Sequence, residues 1–155
     1  MLAFALAAFL LCCAGPLTDA ATAAASRHEP TRHVHKRTVG ERVAAIALRE
    51  VGVPYRWGGI SPANGFDCSG LVYWAYGRLG IRVPHSSYAL FDRGRQVPRR
   101  GVKPGDVLFF FGLGHVGIYI GRGRMVHAPH SGTRVQVVRL SRYGGRLVGI
   151  RRIRN

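Results

Sequence analysis

The chain has 155 residues, 47 % of them hydrophobic, with 23 Lys and Arg against seven Asp and Glu and a formal net charge of +16 at pH 7. That length and apolar content support one ordinary core and argue against a multidomain assembly. The charge favours polyanions, whether nucleic acid, anionic lipid or the phosphate- and carboxylate-rich wall of a bacterium; no helix-turn-helix pattern or aromatic and basic ladder accompanies it, which weighs against nucleic acid.

Residues 1–25 do not read as part of the core. The run "MLAFALAAFLLCCAG" is short for a bilayer span and is followed by the small residues of "TDAATAAAS", the order of a secretory signal and its cleavage region. It lacks the usual basic n-region, so a short membrane anchor is the rival reading. Cys12 and Cys13 lie inside the apolar run without the small residues that a lipidated cysteine needs before it. Export therefore leaves Cys68 as the single thiol of the remaining chain, either a small buried hydrophobe or a reactive group. Residues 26–155 hold all 23 basic residues and six of the seven acids, a charge of about +17.

Residues 26–38, containing "SRHEPTRHVHKR", are polar, basic and aperiodic and read as a tether. Its histidines His28, His33 and His35 are candidates for weak metal binding, with a solvated linker as the simpler reading. Thr38 and Glu41 have capping-box spacing, and Val43, Ala44, Ile46, Ala47 and Val51 form an apolar stripe, which predicts a helix over 39–51. "VPYRWGGISPANG" is too rich in Gly and Pro for regular structure. A second helix is expected over 68–79, with Asp67 as N-cap and Gly80 as stop, and Ser86 caps a short third. Beyond Pro104 come β-rich runs, "DVLFFF", "HVGIYI", "RMVHA", "RVQVVRL" and "RLVGIRRI", separated by Gly-containing turns. Helices first and antiparallel strands after give an α+β domain with the N-terminal helices packed on a central antiparallel sheet.

Cys68 opens the second helix, where unpaired N–H groups and the helix dipole favour thiolate over thiol; an unusually reactive thiol near neutral pH is the expectation. His115 and His127 each lie in a predicted strand. A three-residue loop of Gly121, Arg122 and Gly123 sets His127 opposite Gly117, on the face that His115 shares; a two-residue loop would put the histidines on opposite faces. The functional reading makes His115 the base for Cys68 and His127 the group that orients it. The alternatives are two half-buried sheet histidines, or a metal site of Cys68, His115 and His127, whose spacing is a poor zinc signature. Tyr55, ahead of Trp57, Gly58 and Gly59, is a candidate to hold an oxyanion together with the Cys68 N–H. Asp67 and Ser69 flank the nucleophile as candidates for a substrate ammonium group, with helix capping as their alternative role, and Trp57 completes the substrate-binding candidates.

"PYRWGGISPANGFDCSGLVYWAY", "KPGDVLFF", "GHVGIYIG" and "MVHAP" resemble, in that order, the motifs of the NlpC-type cell-wall cysteine peptidases, a papain-like group. The match covers about residues 40 to 153, and the domain is set at 39–155. The resemblance implies hydrolysis of peptidoglycan stem peptides, commonly between γ-D-glutamate and meso-diaminopimelate or lysine. It makes Cys68 the nucleophile, His115 the base, His127 the third polar residue and Tyr55 the oxyanion support, and gives Asp67 and Ser69 the free amino end of the stem. No metal or organic cofactor is expected, and the chain is expected to be an exported monomer, periplasmic or extracellular. Its Arg-dominated surface, 21 Arg to 2 Lys, suits anionic wall polymers. Where the family often has an Arg-Thr-Ser-like run after proline, this chain reads "VPHSSYALF", with His85 in the arginine's place. A wall-binding module without catalysis, and an amidase or acyltransferase of the same fold, are the competing functions.

Overall fold

The computed structural model describes residues 36–154. The expected leader at 1–25 and most of the tether at 26–38 lie outside them.

Helix α1 (Val39–Arg49) begins with the capping box that the sequence predicts: the Thr38 N–H donates to Glu41 Oε2 at 2.7 Å and the Glu41 N–H to Thr38 Oγ1 at 3.2 Å. It stops at Arg49, two residues before the expected end. A two-residue ladder follows, β1 (Ile60–Ser61) with β2 (Gly65–Phe66), inside the Gly- and Pro-rich segment expected to lack regular structure. Helix α2 (Cys68–Gly77) is capped by Asp67, and α3 (Ser87–Phe91) by Ser86. Six antiparallel strands make the main sheet: β3 (Arg95–Gln96), β4 (Val107–Phe110), β5 (His115–Gly121), β6 (Arg124–His127), β7 (Gln136–Arg139) and β8 (Leu147–Arg152), in the order β3-β8-β4-β5-β6-β7. The edge strand β3 was not legible, because two exposed residues carry no alternation.

Strand alternation divides the core in two. Val107, Phe109, Val116, Ile118 and Val126 face α1 and α2, meeting Val43, Ala47, Leu71, Val72 and Ala75. Leu108, Phe110, Tyr119, Met125 and Ile150 point to the opposite face, covered by Val97, Val102, Leu140, Tyr143 and Leu147. The sheet is therefore buried on both sides, and β4 reads as a continuous apolar run for that reason. One buried ion pair ties the sheet to its preceding turn: Asp106, 1 % exposed, accepts from Arg152 Nε and Nη2, both at 2.6 Å, and from the Lys103 N–H at 2.7 Å.

The β5–β6 hairpin departs from the expected loop in an instructive way. Its turn has two residues, Arg122 and Gly123, both at positive φ, because Gly121 pairs with Arg124. A bulge between Tyr119 and Gly121 adds back one residue, so Ile118 pairs with Val126 and Tyr119 with Met125. The register at the far end is thus the one a three-residue loop gives, and His115 and His127 share a face.

Candidate active site

Three elements converge on Cys68. The first is the start of α2, where the Asp67 side chain accepts the Gly70 N–H at 2.6 Å and fixes the first turn, with Cys68 as its first residue. Gly70 lies so close to the Gly59 carbonyl that any side chain at 70 would collide with it. That approach pins the Tyr55–Gly59 loop beside the nucleophile candidate.

The second element is β5. The backbone N–H of Val116 reaches the Cys68 sulfur, as do those of Ser69 and Cys68 itself. His115, the first residue of β5, is 7 % exposed, and His127, the last of β6, is 1 % exposed. Their rings stand edge to face, 5.1 Å between centroids, and His115 Nε2 lies 2.9 Å from His127 Nδ1. Gly117 makes room for this: a Cβ there would meet the Met125 sulfur and His127 Cβ at 2.8 and 3.2 Å.

The third element is the return from β7 to β8, which carries Tyr143. Its ring packs edge-on against His127 at 5.3 Å and against Phe110 at 4.8 Å. A hollow of about 460 Å³ opens beside these rings, lined by Phe111, His115, Pro129, His130 and Tyr143 among others. The sequence did not single out Tyr143, since no local pattern marks a residue delivered by a return loop. His130, in the loop after β6, adds to the cost of charging both buried histidines.

The electrostatics of the site are dominated by burial. Desolvation pushes the Cys68 thiol up, against the three backbone N–H groups that stabilise a thiolate, and the nearby Asp67 charge adds to the rise. Burial lowers His115 to about 4, with His130 contributing, and lowers His127 to about 4, with His115 and His130 contributing. Burial thus disfavours both the thiolate of Cys68 and the imidazolium forms of His115 and His127. This corrects the expectation of a freely reactive thiolate: a helix N-terminus favours the anion, but removal from water outweighs it here.

Tyr55 is raised by burial and then by the Cys68 and Asp67 charges, so its phenol lies near both. Asp67 and Ser69 are 8 % and 7 % exposed, and Ser69 Oγ donates to Asp67 Oδ1 at 3.0 Å. Asp67 Oδ2 also accepts the Gly58 N–H at 3.0 Å, so the residue caps α2 and holds the preceding loop together. Trp57 stands 85 % exposed on that loop. His85 Nε2 sits on the Asp67 carboxylate at 2.9 and 3.0 Å. Among the described residues no group of three His, Cys, Asp or Glu side chains has the arrangement a metal ion needs.

A family model described as "NlpC/P60 family" matches residues 52–152, the span that contains every one of these groups. The chain belongs to the NlpC/P60 family. It is 50 % identical over 108 residues to a probable endopeptidase of Mycobacterium tuberculosis, covering 68 % of this chain and 28 % of that one. It is 40 % identical over 116 residues to the murein DD-endopeptidase MepH of Escherichia coli, covering 68 % of this chain and 43 % of MepH. The crystal structure of an NlpC/P60 family protein from Bacillus cereus superposes with a TM-score of 0.70 at 30 % identity, over 76 % of this chain and 41 % of that one. The NlpC/P60 fold is thus the fold of this domain, and the chain spans less than half the length of each of these relatives.

Proposed function

We propose that this NlpC/P60 chain is an exported cysteine endopeptidase that hydrolyses peptidoglycan stem peptides. The observation that carries the reading is the buried His115–His127 hydrogen bond, on the strand whose Val116 N–H favours the anion of a cysteine at a helix N-terminus. With His115 Nε2 engaged by His127 Nδ1, His115 Nδ1 is the nitrogen left to exchange a proton with Cys68. His115 then donates its Nε2 proton to His127, which fixes His127 as the Nε2–H tautomer; that nitrogen is buried and unpartnered among the described residues.

In the first stage the Cys68 proton passes to His115 as the sulfur attacks the stem-peptide carbonyl. The oxyanion is held by the Tyr55 hydroxyl and the Cys68 N–H. His115 returns the proton to the leaving amine as the C–N bond breaks, which leaves a thioester. Water then attacks the thioester, gives a proton to His115 and expels the sulfur, which is reprotonated. Because burial disfavours the charged form of each partner, the proton transfer is coupled to the attack step in this reading.

The proposed scissile bond is the γ-D-glutamyl–diamino acid bond, with Asp67, Ser69 and Trp57 on the substrate's amino side. MepH is a DD-endopeptidase by name, so the experiment must present both kinds of bond. The domain acts as a monomer without metal or organic cofactor in this reading. Residues 107–154 contain nine Arg and no Asp or Glu, which suits association with anionic wall polymers and not, after export, with nucleic acid.

The test is to incubate the full chain, and its Cys68→Ala form, with a cross-linked dimer of stem tetrapeptides and with intact sacculi, and to identify products by mass. A cysteine-dependent cut after γ-D-glutamate supports the proposal. A cut only at the cross-link moves the bond, release of whole stems from glycan makes the chain an amidase, and sacculus binding without any cut makes it a binding module.

A further inference from the structure

The Asp67 carboxylate is fully subscribed. Oδ1 accepts from the Gly70 N–H and Ser69 Oγ, Oδ2 accepts from the Gly58 N–H, and His85 Nε2 spans both oxygens. Three of these four donors come from residues 58–70 and are part of the cap and loop. The fourth arrives from the connection between α2 and α3, on a side chain that is 29 % exposed and rests near the Tyr73 ring, 6.1 Å between centroids. Removing His85 from Asp67 leaves the α2 cap and the Gly58 tie intact.

The His85 contact differs from the others in its geometry. One N–H is shared between two oxygens at 2.9 and 3.0 Å, so the two bonds cannot both be linear. An ammonium group in the same place donates a separate N–H to each oxygen, where the imidazole offers both oxygens one N–H between them. The Tyr55 phenol, close to both Asp67 and Cys68, is available to the third N–H.

We infer that His85 is a displaceable gate on Asp67, occupying the carboxylate while the cleft is empty and yielding it to the free α-ammonium group of an incoming stem peptide. This rests on the peptidase reading above and deepens it: the site selects stems whose amino end is free, at the cost of displacing His85 on every binding event. His85 touches no reacting atom, so it determines specificity and does not catalyse.

The test measures binding, in the Cys68→Ala background of the full chain, of two stem tetrapeptides that differ only in a free or an acetylated N-terminal amine. His85→Ala is expected to tighten the free-amine peptide roughly three- to tenfold, the worth of one competing hydrogen bond, and to leave the acetylated peptide where it was. His85→Arg, a cation that competes more strongly, is expected to weaken the free-amine peptide selectively. Equal changes for both peptides, or none, overturn the gate; a merely structural His85 moves both together and lowers the urea midpoint as well. Selective binding with no hydrolysis by the Cys68 form defeats the proposed function and leaves the gate standing, whereas no binding of either peptide to any form defeats both.

Discussion

Acid should unfold this domain earlier than its few carboxylates alone would cause, because two buried histidines must be charged for nothing in return. His115 and His127 are each lowered to about 4 from an ordinary value of 6.5. Between those limits the unfolded chain binds more protons than the folded one, so stability rises with pH through that window and is lost as pH falls from about 6.5 to about 4. A shift of this size is worth roughly 3 kcal/mol for the first ring at about 1.4 kcal/mol per unit, and the second proton must enter beside an existing imidazolium. With a urea slope of about 1.5 kcal/mol per molar, the first loss alone moves the unfolding midpoint by roughly 2 M. Urea midpoints of the full chain at pH 7, 6, 5 and 4.5 and fixed ionic strength would show it, with His127→Gln as the comparison. A midpoint that does not fall between pH 7 and 4.5, or a fall of the same size in His127→Gln, would refute the argument that burial of this pair sets its protonation.

The Cys68 thiol, raised by burial, should alkylate with iodoacetamide at pH 7 no faster than a free model thiol, its rate still rising above the ordinary cysteine pKa; a plateau reached near neutrality would restore the thiolate expectation. Hydrolysis by the wild-type chain should keep its activity well below pH 6.5, with an acid limb displaced toward the low value of His115, and a limb at the ordinary histidine position would remove His115 as base. Asp106→Ala strands the Arg152 guanidinium and the Lys103 N–H at a site where Asp106 is 1 % exposed, and should cost about 3–5 kcal/mol in urea unfolding; a loss below about 1 kcal/mol would mean that water replaces the carboxylate. Gly117→Val should leave a folded chain with far lower kcat, since its side chain enters the space of Met125 and His127; unchanged kcat would show that the ring pair tolerates displacement.

The helices were legible because their signals are local: Thr38 and Glu41 close a capping box, Asp67 and Ser86 cap by side chain, and the strands from Val107 onward alternate or run apolar. What escaped was built by distant chain. The two-residue strands β1 and β3 exist because neighbours pair with them, Phe66 also bridging Tyr55 and Arg95 pairing Arg152. Tyr143 reaches the histidines only through the fold of the β7–β8 return. The histidine pair itself came from the correct register reached by the wrong loop, since a bulge after Tyr119 compensates a turn one residue shorter than expected. Sequence spacing constrains the sum of loop and bulge, and only the structure divides it between them.

The direction of the Cys68 shift joins local and distant groups. A cysteine at the first position of a helix receives its N–H groups from its own segment, and those of Ser69 and Cys68 do stabilise the anion. The distant Val116 N–H of β5 stabilises the anion as well, but burial of the sulfur outweighs all three groups, and the Asp67 carboxylate that caps the helix adds a repelling charge. The residue that makes α2 start at Cys68 therefore also adds to the rise of its thiol. A substrate ammonium that takes Asp67 from His85 would cancel part of that negative potential 1 residue from the sulfur, and so favour thiolate formation only when the amino end of a stem is in place. Alkylation of Cys68 in the presence of a small amine-terminated dipeptide tests this coupling. Acceleration by the free amine and not by its acetylated form is the expected result, and protection by both peptides alike would leave the thiol indifferent to what Asp67 binds.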